Sequence, residues 1–368
     1  MQSEQITLAG KLIREGKLVA FPTETVYGLG ADAFSVQAVE KIYSAKGRPS
    51  DNPLILHIAD IETFYQLADS PPEYVDTLIK TYWPGPLTLI VKKKAHIPKW
   101  VGGHPKNQTD TIGIRMPNCG IALAVIRESG CVVAAPSANK AGKPSPTTVE
   151  HVLDDFFCKE LDLIIDGGKV SVGLESTVLD TFTKTKANQP LILRPGAITA
   201  TMIKQTLGLS SLTNYTNATN NSAKTCNYDK PLSPGMKYRH YAPQAPMTIL
   251  TGIAQSISDH IIKEIKIENA KGNKVGILLT NNTANIFRQT LSGQVGGENC
   301  DLILLVNQLI PLGHDEVTIA QNLFACLRQF DTLGVDIIFT ESVSETGLGL
   351  AIMNRMLKAA EGRIMNVP

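Results

Sequence analysis

From Ser210 to about Pro234 the chain abandons every apolar period, and that interruption restricts it to two separately packed units joined by a polar tether. Thr213-Asn-Tyr-Thr-Asn-Ala-Thr-Asn-Asn221 is the extreme of this Ser/Thr/Asn-rich tract. Such a stretch has too little apolar surface to bury and reads as a flexible connection. At 368 residues the chain is long enough for a real core on either side of it. The organisation expected is therefore a first unit over 1–208, a connection over 209–246 and a second unit over 247–368.

Before the tract, apolar strand-like runs alternate with helical patterns. Residues 3–15 read as an amphipathic helix closed by Gly16, and 35–45 as a helix opened by Ser35. Strands are expected at 18–22, 54–59, 87–92, 111–116, 131–135, 161–166, 176–181 and 191–194. Several follow one another directly, which implies an α/β layer on a mixed sheet. After Pro246 the expected order is strand 247–251, helix 254–266, strands 274–280 and 302–306, helix 315–330, strand 335–340 and helix 349–360. The unalternated strands Val275-Gly-Ile-Leu-Leu279 and Val335-Asp-Ile-Ile-Phe339 suit a small parallel, doubly wound, Rossmann-like sheet.

Composition excludes several classes. The net charge is +1, with 43% hydrophobic and 19% charged residues, so bulk electrostatics gives no reason to expect a strongly basic nucleic-acid binder. No apolar run approaches the ~18 residues that span a bilayer. Met1-Gln-Ser-Glu-Gln resembles no signal peptide, and a cytoplasmic location without membrane contact is the expectation. The six cysteines lack a C-x-x-C pair and the seven histidines lack common ligand spacings, so no metal held by cysteines or histidines is expected. Gly28-x-Gly30-x-x-Ala33 matches a dinucleotide fingerprint formally, but six residues separate it from the preceding strand. Gly168 and Gly173 have phosphate-loop spacing, yet Leu174-Glu175 stand where Lys-Ser/Thr is needed.

Chemistry concentrates where the strands of the first unit begin or end. Thr23, Glu24 and Thr25 leave the first strand; Lys46 and Arg48 follow a helix, with Asn52 and His57 around the next strand. Gly47 and Pro49 restrain the backbone, and alternate residues of an extended segment point the same way, so the two cations suit a polyphosphate. Arg115 ends an apolar strand and needs an anion, either a protein carboxylate or the α-carboxylate of an amino acid. Val132-Val-Ala-Ala-Pro-Ser137-Ala-Asn139 and Ser145 place small and hydroxyl groups where backbone can approach a ligand. Ser176 and Arg194 stand at two further strand boundaries. Each has a plainer use in a turn, a helix cap or a solvated surface. Together they point to an enzyme that handles an amino acid and a nucleotide.

Phe21-Pro-Thr-Glu-Thr-Val-Tyr-Gly-Leu, Lys46-Gly-Arg-Pro with Asn52-Pro-Leu, Trp83-Pro-Gly-Pro-Leu-Thr88, Arg115-Met-Pro, Ala135-Pro-Ser-Ala-Asn, Glu175-Ser-Thr-Val and Arg194-Pro-Gly resemble the YrdC-type threonylcarbamoyl-AMP synthases. Ser233 to Pro243 and Gly347-Leu-Gly-Leu-Ala-Ile-Met-Asn-Arg355 resemble the long, two-domain form. The resemblance implies a YrdC-like twisted mixed sheet followed by the smaller Rossmann-like domain. It also implies condensation of L-threonine, bicarbonate and ATP, with Mg²⁺, into threonylcarbamoyl-AMP and pyrophosphate. The product would pass to a tRNA threonylcarbamoyl transferase, and a weak direct contact with tRNA is part of that expectation. Carried over by motif, Thr25, His57, Arg115, Ala135 and Ser176 match threonine positions. Lys46, Arg48, Asn52, Thr111, Ser137, Ser145, Arg194 and His240 match nucleotide positions, with Lys46 and Arg48 as the catalytic cations. Lys237, Tyr238, Arg239, His240 and Tyr241, within 233–243, would form a lid.

Two rivals belong beside this reading. A double-stranded-RNA or ribosome-maturation module would use Lys92-Lys-Lys94, the one basic run. A carbamoyl-AMP-forming carbamoyltransferase would bring zinc-finger cysteine pairs, and this sequence has none.

Overall fold

The computed structural model describes residues 2–156, 160–182, 189–214, 240–294 and 308–368. Its contacts divide them into two compact units. The first holds the described residues up to 141 and from 145 to 214; the second holds 142–144 with 240–368. Residues 215–239, which hold most of the tether together with Lys237, Tyr238 and Arg239, and the strand expected at 302–306 lie outside the described residues. The start of the tract departs from a structureless connection, because Thr213 and Asn214 pair with Leu191 and Ile192 in the sheet of the first unit.

The first unit is built on ten strands: β1 (Val19–Phe21), β2 (Gly28–Asp32), β3 (Ile55–His57), β4 (Leu87–Lys92), β5 (Thr111–Arg115), β6 (Val133–Ala134), β7 (Leu163–Ile164), β8 (Thr177–Asp180), β9 (Leu191–Arg194) and β10 (Thr213–Asn214). They form one sheet in the order β10-β9-β8-β4-β5-β3-β6-β2-β1-β7. Parallel pairs (β3 with β5, β4 with β8) alternate with antiparallel ones (β4 with β5, β3 with β6), so the sheet is mixed, as its directly successive strands imply. Its core joins Leu29, Leu56, Leu89 and Ile114 to Phe64, Leu78 and Ile79 of the covering helices.

Glycines hide one strand from a reading of the sequence. β2 runs through Gly28-Leu-Gly-Ala-Asp32, a composition depleted in strands. A Cβ on Gly30 would stand 2.4 Å from Phe21 Cε1, so glycine lets β2 pair with the phenylalanine-bearing β1. The formal dinucleotide fingerprint is thus a strand interior, not a phosphate loop.

Helix α1 (Gln2–Arg14) opens the unit and α2 (Val36–Lys46) carries the site's first cation. Ser35 caps α2 by accepting from Ala38 N, and Gly47 ends it at φ 63° in the left-handed region. The reversal lets Arg48 N bond Tyr43 O at 3.0 Å, which holds Lys46 and Arg48 on a fixed turn.

The second unit has five strands, β11 (Met247–Thr251), β12 (Val275–Leu279), β13 (Leu309–Pro311), β14 (Ile337–Glu341) and β15 (Ile364–Asn366), in the order β13-β12-β14-β11-β15. Every pairing is parallel. Helices 254–270 and 281–294 connect strands that step one way along the sheet; 316–333 and 349–359 connect steps the other way. Right-handed crossovers then place the two pairs on opposite faces, a doubly wound arrangement. No helix among the described residues is long and apolar enough to cross a membrane.

Candidate active site

The register of the first sheet lines up a polar row across four neighbouring strands. His57 of β3 pairs with Arg115 of β5. On the other side of β5, the β4 register Leu89↔Ile114 brings Thr88 next to Arg115 by one step. β8 starts beside Leu87, with Ser176 immediately before its first residue. All four side chains are buried, none more than 4% exposed.

Arg115 is the centre of this row. Its Nη2 lies 2.6 Å from Glu24 Oε2, its Nη1 donates to Thr25 Oγ1 at 2.9 Å, and its Nε donates to Gly85 O at 3.3 Å. The anion a buried arginine requires is therefore supplied first by the protein. Glu24 was the middle residue of the Thr-Glu-Thr run, and its alternation with two threonines gave no sign that it rather than they would meet the arginine's charge. Thr25 Oγ1 also lies 2.8 Å from Thr23 Oγ1, and Thr23 Oγ1 donates to Val26 O at 2.6 Å.

His57 is buried, so bulk solvent does little to stabilise an imidazolium there. Burial first, and then the Arg115 cation, lower its pKa from 6.5 to about 3. The ring is neutral, and the contact of Nδ1 with Ile55 O at 3.3 Å assigns the proton to Nδ1. Nε2 is then the acceptor.

Ser176 is fixed by two neighbours: Arg194 donates from Nε to Ser176 O and from Nη2 to Ser176 Oγ, both at 3.1 Å, and Thr88 Oγ1 lies 2.7 Å from Ser176 Oγ. Beside it, Ser145 Oγ donates to Glu175 Oε1 at 2.5 Å. Glu175 and Thr88 stood in recognised motifs without an assigned role; only the paired strands show what they hold.

A second group gathers at the amino end of β3. The Lys46 ammonium donates to the carbonyls of Ser137 and Asn139. Arg48 donates from Nη2 to Asn52 Oδ1 at 2.9 Å and to Pro53 O at 2.6 Å. Tyr43 donates to Asn52 O at 2.8 Å. Ala135 lies between the groups, its N–H bonded to Ile55 O at 3.1 Å. Three loops carry most of these groups and are stitched by backbone bonds, among them Ala138 N to Tyr27 O, Tyr27 N to Pro146 O and Gly173 N to Thr25 O. Thr111 opens β5 on this same edge, ~13 Å along the strand from Arg115; its N–H donates to Thr109 Oγ1 at 3.2 Å. It does not join the polar row.

In the second unit His240 and Tyr241 are the described end of the expected lid. Their rings lie 5.4 Å apart, and Tyr241 stacks on Phe324 at 5.2 Å with 26° between planes. Tyr241 is thereby seated on a helix of its own unit. Among the described residues no group of three His, Cys, Asp or Glu side chains is placed to hold a metal. Lys93, the middle of the basic run, is buried and donates to the carbonyls of Pro98, Lys99 and Val101. It organises a loop instead of facing a nucleic acid, which removes the main support for the RNA-binding rival.

The family described as telomere recombination, which unites Sua5, YciO and YrdC, matches residues 11–196, and the threonylcarbamoyl-AMP synthase C-terminal domain matches 198–361. The chain is 44% identical to the threonylcarbamoyl-AMP synthase of Bacillus subtilis (strain 168), over 98% of this chain and 94% of that protein. It is 42% identical to that of Pyrococcus abyssi (strain GE5 / Orsay), over 99% and 96%. The crystal structure of P. abyssi Sua5 complexed with L-threonine superposes with a TM-score of 0.83 at 40% identity, covering all of this chain and 97% of that one. Two family domains in the order found here, and identity sustained along both, make the chain a member of the two-domain Sua5 family of threonylcarbamoyl-AMP synthases.

Proposed function

We propose that this protein makes L-threonylcarbamoyl-AMP from L-threonine, bicarbonate and ATP with release of pyrophosphate, for modification of tRNA beside the anticodon. The observation that carries the reading is the buried row His57–Arg115–Thr88–Ser176 with Lys46 and Arg48 at the adjoining edge. It combines buried cationic and hydroxyl groups with a cationic turn, which suits an amino acid meeting a polyphosphate.

The amino-acid carboxylate is assigned to Arg115 and Ser176, and the neutral Nε2 of His57 accepts from the side-chain hydroxyl or the amine. Ala135 supplies backbone close to the substrate. The threonine amine attacks bicarbonate-derived carbon, forming the N–C bond of a carbamate with loss of water. A carbamate oxygen then attacks the α-phosphorus in line, and the bond from that phosphorus to the β-bridging oxygen breaks. Lys46 and Arg48 stabilise the charge on the departing pyrophosphate, while Asn52 orients Arg48. Ser137, Ser145, Arg194 and Thr111 line the path assigned to the nucleotide. The carbonyl and hydroxyl partners hold these groups before ligand arrives, so catalysis comes from position and charge, not from a covalent nucleophile.

Magnesium would accompany ATP and offset phosphate charge. Phosphate oxygens and water would supply most of its ligands, since this ion keeps much of its hydration shell when it binds beside substrate phosphates. Water must be kept from the carbamate and the mixed anhydride, both of which hydrolyse readily. A cytoplasmic location, a tRNA threonylcarbamoyl transferase as the consumer of the product, and at most weak contact with tRNA complete the proposal.

The test is pyrophosphate release from ATP with threonine and bicarbonate each omitted in turn. Release that depends on both supports the reading; release indifferent to threonine overturns it.

A further inference from the structure

Thr88 belongs to the buried row but touches no reacting group in the steps above; its side chain is fully buried, and Ser176 beside it is 1% exposed. A buried hydroxyl must place its proton on an acceptor. Among the described residues the hydrogen-bonding neighbour of Thr88 Oγ1 is Ser176 Oγ, at 2.7 Å. Ser176 Oγ also receives Arg194 Nη2 at 3.1 Å, and a guanidinium only donates. Either hydroxyl could donate in this contact, but if Ser176 did, the Thr88 proton would have no acceptor with or without a ligand. The orientation that lets an anion beside Ser176 satisfy both protons has Thr88 donating to Ser176. Both lone pairs of Ser176 Oγ are then taken, one by Thr88 and one by Arg194, and what remains is its own proton.

Thr25 is polarised in the opposite sense. The Thr23 proton is spent on Val26 O, so in the Thr23–Thr25 contact Thr25 donates. Its oxygen also accepts from Arg115 and keeps one lone pair. One hydroxyl of the row thus offers a proton and another offers a lone pair.

We propose that Thr88 is a positioning residue that fixes Ser176 as an obligate donor to the carboxylate of the amino-acid substrate. This rests on the assignment of that substrate to the Arg115 row. Polarity then sets the direction of binding, with the carboxylate at Ser176 and a donor group, amine or hydroxyl, at Thr25. Without the Thr88 hydroxyl, Ser176 regains a free lone pair and a free rotor, and its discrimination between an anionic carboxylate and a neutral alcohol falls.

The experiment compares L-threonine with L-threoninol, which lacks the carboxylate, by calorimetric titration of the full-length protein, with pyrophosphate release measured alongside. Thr88→Val should weaken threonine roughly 5- to 20-fold, the scale of a hydrogen bond to a charged group. Threoninol affinity should stay within about twofold and kcat within about threefold. Thr88→Ser should restore the wild-type ratio. If Thr88→Val does not fold, Thr88→Cys, of similar bulk with a weak donor, should show the same selective loss. Equal weakening of both ligands, or no change in threonine affinity, overturns the role of Thr88. Wild-type protein that binds neither ligand overturns the underlying substrate assignment instead.

Discussion

Arg115 Nη2 and Glu24 Oε2 meet at 2.6 Å, with 5% and 7% of their side chains exposed. The pair joins the strand-exit loop after β1 to the end of β5, 91 residues on. Both charges have been taken out of water, so removing one leaves the other uncompensated. Glu24→Gln or Arg115→Met should each destabilise the first unit by ~3–5 kcal/mol. The double replacement should cost clearly less than the sum. A double-mutant cycle in urea checks this, and strictly additive losses would show that the charges do not depend on each other.

Arg115→Ala should raise the apparent KM for threonine more than it lowers kcat. Lys46→Ala and Arg48→Ala should do the reverse, each removing ~2–4 kcal/mol of transition-state stabilisation if they clamp the leaving pyrophosphate. Steady-state kinetics with threonine and ATP varied separately would separate the two patterns. Small and equal effects from all three would assign them to scaffolding.

The depressed pKa of His57 has a definite sign in stability. Between about pH 3 and 6.5 the unfolded chain binds a proton at this residue that the folded chain refuses. Stability therefore rises with pH across the window and is lost as the solution is acidified below about 6.5. The full linkage is at most ~5 kcal/mol. His57→Gln should flatten that part of the acid-stability curve while leaving the profile above pH 7 unchanged. Denaturation midpoints from pH 4 to 8 provide the measurement, and an unaltered acid limb would refute the assignment.

Gly196 follows Arg194-Pro195, and a Cβ there would lie 2.4 Å from Thr177 N and 2.8 Å from the carbonyl carbon of Ser176. Backbone cannot yield as a flexible side chain can. Gly196→Ala should push the 194–196 turn off Ser176, costing ~1–3 kcal/mol of stability and raising the threonine KM. Equal melting temperatures and kinetics for variant and parent would show that the turn relaxes freely.

Much of this was legible in the residues, and the limits have physical causes. β4 and β9 follow their expected spans because Leu-Thr-Leu-Ile-Val-Lys and Leu-Ile-Leu-Arg have strand composition. β2 was invisible because its glycines serve a close neighbour, Phe21, that only the folded sheet supplies. Arg115 could be recognised as a charge in need of an anion; that Glu24 reaches it depends on strand pairing. Thr88 is an ordinary β-branched strand residue by composition. Its significance is set by Ser176, which β8 brings alongside in parallel.

The bonds that assemble this site are long in sequence. Thr25 to Arg115 spans 90 positions, Lys46 to Ser137 spans 91 and Thr88 to Ser176 spans 88. No contiguous fragment of fewer than about ninety residues can hold any of these pairs. Substrate recognition is consequently a report on completed folding. A chain still emerging from synthesis lacks these three pairs until its later strands arrive, and with them the completed row that would receive threonine.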